Sequence, residues 1–408
     1  MLSATSVPVI EATLPVVGQH IDTISGVFYD TMLGENPDLL NLFSRSAQAT
    51  GEQKSALAGA VATFAAHLVG VGPDASVFEH MTERIAQRHC ALGIRPEQYT
   101  MVGRYLMGAV GTVLGDAVTP EVAAAWDEVY WLFASRLIGR EARLYAEAGV
   151  HGNDPWREYV VANKITEAHD TVSFILTPTA GGTVPDFLPG QYVTVAADLP
   201  DGTRQLRQYS LSQAAPGRTL RITVRRVRGI GGAPDGVVSG FLHDHVDIGD
   251  HLRLSSPYGE LTLRDSDAPL VLVSAGVGIT PMAAILDHVA RTQPARDVTA
   301  VHADRSVERH PLRADMYTNG SRLRSFRNLV WYEEPADVPG ANVGFVDIDA
   351  IPLHPDSVVY LCGPVPFMQL VRAGLHRRGL PDERIRYEVF GSEQWRPAPV
   401  AVPVAVPA

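Results

Sequence analysis

His89, Tyr99 and Glu141 are polar residues at positions where the surrounding pattern calls for apolar ones. His89 continues the stripe of Phe78, Met81 and Ile85 and precedes Leu92. Tyr99 opens the stripe of Val102, Leu106, Val110 and Val113. Glu141 follows Trp126, Tyr130, Phe133 and Leu137 and precedes Leu144. A carboxylate withdrawn from water costs on the order of several kcal/mol unless it is hydrogen-bonded, so the three groups are expected to meet. A carboxylate and a phenol that hold one imidazole nitrogen leave the other free for a metal, although spacing alone equally allows a satisfied polar network with no ligand. A second stretch with chemical content is Ser274-Ala275-Gly276-Val277-Gly278-Ile279-Thr280-Pro281-Met282, which follows the apolar run Pro269 to Val273. Its glycines allow close backbone approach. Thr280 suits a helix N-cap and Pro281 the first helical position, so a glycine-rich loop opens onto a helix N-terminus, an arrangement that favours a pyrophosphate. The third glycine of a dinucleotide fingerprint is missing.

The elements that must position the first group are helices. Ile10, Leu14, Val17, Ile21, Ile24 and Phe28 predict one long amphipathic helix from Pro8, broken at Asn36-Pro37-Asp38. A helix with the stripe Leu57, Val61, Phe64 and Leu68 follows, with Gln53 one turn ahead of it. Gly93 suits a left-handed end to the helix carrying His89, while Pro96 and Glu97 fit the opening turn of the next. The last helix of this region starts at Pro120.

The texture changes after a linker at Gly149 to Pro155. Short alternating runs at 158–164, 171–176, 191–196, 220–225 and 251–254, bounded by Gly, Pro or Asp, predict an antiparallel β-barrel. A short helix is expected from Gly240 to His245. Beyond it, apolar runs at 269–273, 298–302, 329–333 and 357–361 alternate with helical stretches, as a parallel sheet with crossovers requires. Cys362, which ends the last of these runs, reads by itself as a small buried hydrophobe.

Composition excludes several classes. A net charge of -11 with dispersed Lys and Arg argues against nucleic acid as a partner. Two cysteines, Cys90 and Cys362, make neither a disulfide framework nor a metal-ligand spacing, which fits a reducing compartment. Neither a signal peptide nor a membrane span is indicated, so a cytoplasmic protein is expected. The tail Pro397 to Ala408 is a low-complexity Pro-Val-Ala run.

Residues 1–148 resemble the globin domain of a flavohaemoglobin, on Phe28-Tyr29, Phe43, Gln53, Leu57, Ile85-Ala86-Gln87-Arg88-His89, Pro96-Glu97-Gln98-Tyr99 and Arg140-Glu141-Ala142 in that order. The resemblance implies haem b with His89 as the proximal iron ligand, Tyr99 and Glu141 orienting it, Tyr29, Gln53 and Leu57 in the distal pocket and Phe43 against the porphyrin. Arg88 stands where the family often has lysine. The pairing of Pro189-Gly190-Gln191-Tyr192 with Arg207-Gln208-Tyr209-Ser210-Leu211-Ser212 resembles the flavin domain of the ferredoxin reductase superfamily, which implies FAD. In that superfamily the arginine meets the pyrophosphate, the tyrosine packs along the isoalloxazine and the serine reaches a ring heteroatom. Gly236, Val238 and Ser239 match its phosphate motif, after a glycine-rich insertion at 229–235.

Gly276 to Pro281, including Val277, Gly278, Ile279 and Thr280, resembles the superfamily's Gly-x-Gly-x-Thr-Pro loop, and Cys362-Gly363-Pro364 its nicotinamide-side motif. Arg386-Tyr387-Glu388-Val389-Phe390-Gly391-Ser392 resembles its flavin-shielding terminal strand, with Val389 and Ser392 replacing the commoner cysteine and proline. The implied organisation is an all-α globin domain (1–148), an antiparallel β-barrel FAD domain (153–264), an α/β parallel-sheet NAD(P)H domain (268–392) and a tail (393–408). The implied activity is nitric oxide dioxygenase, with NADH or NADPH as donor, O2 and nitric oxide as substrates, and a monomeric chain. Asp304 favours an unphosphorylated ribose, adjacent Arg305 could accept a 2'-phosphate, and the resemblance favours NADH. A flavohaem reductase acting on hydroperoxides, and a non-enzymatic oxygen-binding or sensing globin, are the alternatives.

Overall fold

The computed structural model describes residues 1–42, 54–72, 74–152, 154–179, 182–214, 217–229, 234–335 and 337–390. Phe43, Gln53, Gly391, Ser392 and the tail 393–408 lie outside the described residues. The N-terminal region is built from α1 (Ser6–Gln19), α2 (Ile21–Glu35), α3 (Lys54–Leu68), α4 (Ala75–Leu92), α5 (Pro96–Leu114) and α6 (Pro120–Glu147). The single helix expected from Pro8 to Phe28 is two, parted at His20, whose φ of -104° and ψ of 10° leave the helical region. Pro15 has no N–H to give and Gly18 is a weak helix former, so the chain yields there. Ile24 and Phe28 still reach the core, 1% exposed each. Asp74 caps α4 by accepting from the Ser76 N–H at 2.8 Å. Gly93 ends it with φ 76°, and the Ile94 N–H donates to the His89 carbonyl, which fixes His89 on the closing turn.

The middle region is a six-stranded antiparallel sheet of β1 (Trp156–Ala168), β2 (Thr171–Pro178), β3 (Tyr192–Asp198), β4 (Arg204–Ser210), β5 (Leu220–Arg225) and β6 (His251–Ser255), in the order β4-β3-β6-β1-β2-β5. A bridge between Leu211 and Ile222 brings the β4 and β5 ends together, which curls the sheet toward a barrel. Arg207 to Ser210 lies within β4, a strand that the residues Arg204-Gln205-Leu206-Arg207-Gln208 do not announce because they lack apolar alternation. The following helix, α7 (Val237–His245), starts earlier than Gly240, so Val238 and Ser239 sit inside its first turn.

The C-terminal region is a parallel sheet of β7 (Leu270–Ala275), β8 (Asp297–Asp304), β9 (Ser325–Tyr332), β10 (Ala341–Val343), β11 (Val358–Cys362) and β12 (Ile385–Glu388), in the order β10-β9-β8-β7-β11-β12. It is flanked by α8 (Ile279–Thr292), α9 (Arg313–Gly320) and α10 (Val365–Arg377). The N-cap assignment for Thr280 is corrected. A 3-10 turn at Gly276–Gly278 precedes α8, Gly278 caps it, and the Thr280 hydroxyl donates back to the Val277 carbonyl at 3.0 Å. Pro281 is therefore the third helical residue, where its missing N–H is still one of the donors that a helix start leaves unused. Among the described residues no helix is long and apolar enough to cross a membrane.

Candidate functional site

The three polar groups of the helical region converge on one another. Glu141, 2% exposed, accepts from the Tyr99 hydroxyl at 2.6 Å and from His89 Nδ1 at 2.8 Å, while His89 Nδ1 also lies 3.0 Å from the Tyr99 oxygen. Burial, and after it the charge of Glu141, pushes the Tyr99 phenol well above its ordinary range, so it keeps its proton and donates. The Tyr99 carbonyl accepts from Tyr130 at 2.5 Å, which pins the start of α5 against α6. With both acceptors on Nδ1, the proton of a neutral imidazole belongs there and Nε2 carries a lone pair. That nitrogen takes no hydrogen bond among the described residues, and the ring lines a cavity of about 2390 Å³. A bare imidazole nitrogen backed by a buried carboxylate is the donor set of a proximal haem ligand, so these residues fit an iron porphyrin.

Tyr29 and Leu57 line the same cavity. Tyr29 is 7% exposed, sits edge-on to Phe28 at 4.7 Å, and burial pushes its phenol up to about 12. It is a proton donor throughout the physiological range. His67 stacks on Phe78 at 4.7 Å and is not among the cavity's lining residues.

Arg88, beside His89 on α4, also lines the cavity, which runs on into the middle and C-terminal regions of the chain, where Arg207, Gln208, Glu388 and Val389 line it. The Arg207 guanidinium is held below its usual range by burial and meets only the Leu206 carbonyl, at 2.7 Å, with no carboxylate paired to it among the described residues. A desolvated cation without a counter-ion fits a phosphate-bearing cofactor. Tyr192, Tyr209 and Ser210 do not line this cavity; Tyr192 is buried, 6% exposed, and Ser210 is 5% exposed. Phe390 is 39% exposed. Gly236 and Ser239 are joined within their own turn, the Ser239 hydroxyl donating to the Gly236 carbonyl at 3.0 Å and accepting from the Val227 N–H at 3.1 Å, with Val238 buried beneath.

The glycine loop forms a separate cluster. A Cβ on Gly278 would lie 2.3 Å from the Cys362 carbonyl oxygen and 2.8 Å from the Gly363 nitrogen, so only glycine lets the loop close on the end of β11. Gly276, Val277 and Ile279 form the turn that brings it there. Cys362 is fully buried, and the sheet register sets it beside Glu388 of β12. This strand pairing joins the loop cluster to the long cavity, which Glu388 lines. Arg84, Tyr258 and Glu260, which also line the cavity, have no mark in the sequence because each belongs to a contact between segments far apart in the chain.

Glu388 is the titratable group at that junction. Burial pushes its carboxyl up to about 7, with Arg88 and Arg84 pulling down and Glu260 pushing up. A carboxyl raised in the folded state contributes stability that is complete below its unfolded value near 4.5 and is lost as pH rises through about 7. Denaturant unfolding of Glu388→Gln beside the parent chain should therefore show the parent losing ground between pH 5 and pH 8. A gap that stays constant with pH would contradict the assignment.

The globin family matches residues 26–137, the oxidoreductase FAD-binding domain 147–263 and the oxidoreductase NAD-binding domain 272–373. The flavohemoprotein of Bordetella pertussis is 41% identical over 406 residues, covering 96% of this chain and 99% of that one. The flavohemoprotein of Rhizobium meliloti is 39% identical over 96% of this chain and 99% of its own. Among solved structures, the flavohemoglobin of Malassezia yamatoensis with bound FAD and heme superposes with a TM-score of 0.85 at 34% identity, covering 96% of this chain and 100% of that one. The flavohem-like FAD/NAD-binding domain of nitric oxide dioxygenase from Vibrio cholerae matches at TM-score 0.54 and 38% identity, over 58% of this chain and 98% of that one. With a helical globin domain joined to an antiparallel FAD-binding sheet and a parallel NAD-binding sheet, the chain belongs to the flavohemoproteins.

Proposed function

We propose that this chain is a nitric oxide dioxygenase that draws electrons from NADH and converts nitric oxide and O2 to nitrate. The observation that carries this reading is the continuous cavity that His89, Tyr29, Arg207 and Glu388 all line. Bound there, haem would supply oxygen binding and one-electron chemistry, and FAD would supply hydride acceptance with release of electrons one at a time. His89 Nε2 would hold the haem iron, and Tyr99 with Glu141 holds the ring and would make it more electron-donating. Tyr29 donates a hydrogen bond where negative charge develops on oxygen. Arg207 would hold the flavin pyrophosphate, and the loop Gly276 to Pro281, closed on Cys362 and Gly363, would hold the dinucleotide. One hydride supplies the two electrons that two molecules of nitric oxide need, each taking up O2 to leave as nitrate, with one proton released. The domain limits proposed are 1–148, 153–264 and 268–392.

The reading is tested by supplying NADH, O2 and nitric oxide to the purified, cofactor-loaded chain. Nitrate should form at two per NADH oxidised. Nitric oxide left unconsumed while NADH is oxidised would reject the dioxygenase and favour a reductase of other acceptors. For Tyr29→Phe, loss of a hydrogen bond to a charged acceptor, about 1.5–3 kcal/mol, should speed oxygen dissociation by roughly 10- to 100-fold. Flash photolysis reads this directly. Unchanged dissociation would rule out Tyr29 as the donor to bound oxygen.

A further inference from the structure

The helix that carries His89 is fastened to the β-sheet region by a residue just ahead of the histidine. Gln87 on α4 is buried, 7% exposed, and its Oε1 accepts from the Gly259 backbone N–H at 2.9 Å across 172 residues of chain. Its Nε2 donates to Glu83 Oε1 at 2.7 Å. Glu83 is in turn forked by Arg140, at 2.6 and 2.9 Å, and Arg140 immediately precedes the Glu141 that holds His89. Close by on the same helix, Arg84 meets Glu260 at 2.6 Å, the residue after Gly259. Gly259 itself lies against Tyr192, a Cβ there falling 3.0 Å from the ring.

A primary amide can accept from a backbone N–H through its oxygen and donate to a carboxylate through its nitrogen at the same time without adding charge, and its length lets the two partners lie on different segments. Left unpaired at this buried contact, the backbone N–H would lose its hydrogen bond to water with no partner to replace it. The Arg84–Glu260 pair, whose arginine is exposed, contributes less by comparison, since solvent screens an ion pair at the surface.

We propose that Gln87 is a positioning residue for electron transfer, holding the proximal helix and His89 at a fixed separation from the flavin-binding domain; this rests on the electron path of the proposed function. No bond forms or breaks at Gln87. The amide would set the separation across which electrons pass from a bound flavin to a bound haem.

The test uses the whole chain with both cofactors. Gln87→Leu keeps side-chain bulk and removes both hydrogen bonds. Expected are unchanged flavin reduction by NADH, haem reduction slowed about tenfold or more, and amide exchange at Gly259 faster by a similar factor, the last also measurable without cofactors. The exchanged pair Glu83→Gln with Gln87→Glu keeps an acceptor for Gly259 and a donor between the two positions, and should recover most of the rate. Haem reduction at the parent rate in Gln87→Leu, or flavin and haem reduction slowed alike, would overturn the positioning role, as would unaltered exchange at Gly259. A parent chain whose flavin is reduced by NADH but whose haem is not would overturn the electron path itself, and the positioning role with it.

Discussion

His89→Ala is expected to leave a protein that purifies with its haem content reduced at least tenfold while NADH still bleaches its flavin. The first half follows from geometry. His89 Nε2 takes no hydrogen bond among the described residues, its Nδ1 is occupied by Glu141 and Tyr99, and His67 is stacked on Phe78. The second half follows from the chain's organisation, because Arg207 and the loop from Gly276 to Pro281 belong to sheets with their own cores. Removing the ring also strips Glu141 of a hydrogen bond at a position 2% exposed, so a stability loss of about 1–3 kcal/mol should accompany the change. His89→Gly with free imidazole in the buffer separates the effects, since the small molecule can refill the gap and restore the haem absorption band. A haem spectrum unaltered in His89→Ala would mean that another residue holds the iron.

The complementary result is expected at the other end of the electron path. Gly278→Ala should lower the rate of flavin reduction by NADH about a hundredfold, while a chemical reductant still reduces flavin and haem. The added methyl would lie 2.3 Å from the Cys362 carbonyl oxygen, 2.6 Å from its carbon and 2.8 Å from the Gly363 nitrogen. All three are backbone atoms at the end of a central strand and cannot rotate aside, so the loop must move by about an ångström, a displacement that costs on the order of a hundredfold when it separates reacting groups. Backbone strain is not the cause, because Gly278 has φ -61°, which any residue adopts. Stopped-flow mixing with NADH measures the step. A rate within twofold of the parent would show that the loop and Cys362 do not need to touch for hydride transfer.

Much of the candidate site is legible in the residues alone. His89, Tyr99 and Glu141 stand out because a polar residue on an apolar helical stripe breaks a pattern of period 3.6, and burial forces such residues to find one another. Gly93 announces the helix end that aims His89, and the apolar run before Gly276 announces a buried parallel strand. Strand β4 is not legible, because Arg207 and Gln208 are kept polar by what they face and leave no alternation to read. Thr280 is misplaced by the sequence pattern because a 3-10 turn and an α-helix start share the same residues, and only the Val277 carbonyl decides between them.

By itself the sequence determined the class of each domain and the residues able to do chemistry in it, since periodicity and local turn preferences act within a few residues of chain. Only the tertiary structure decided that these domains share one cavity. Glu388 reaches Cys362 through a strand pairing, Gln87 reaches Gly259 across 172 residues, and Arg84 reaches Glu260 across 176. Contacts of that kind depend on which surfaces the folded domains present to each other, and no local pattern of residue types encodes them.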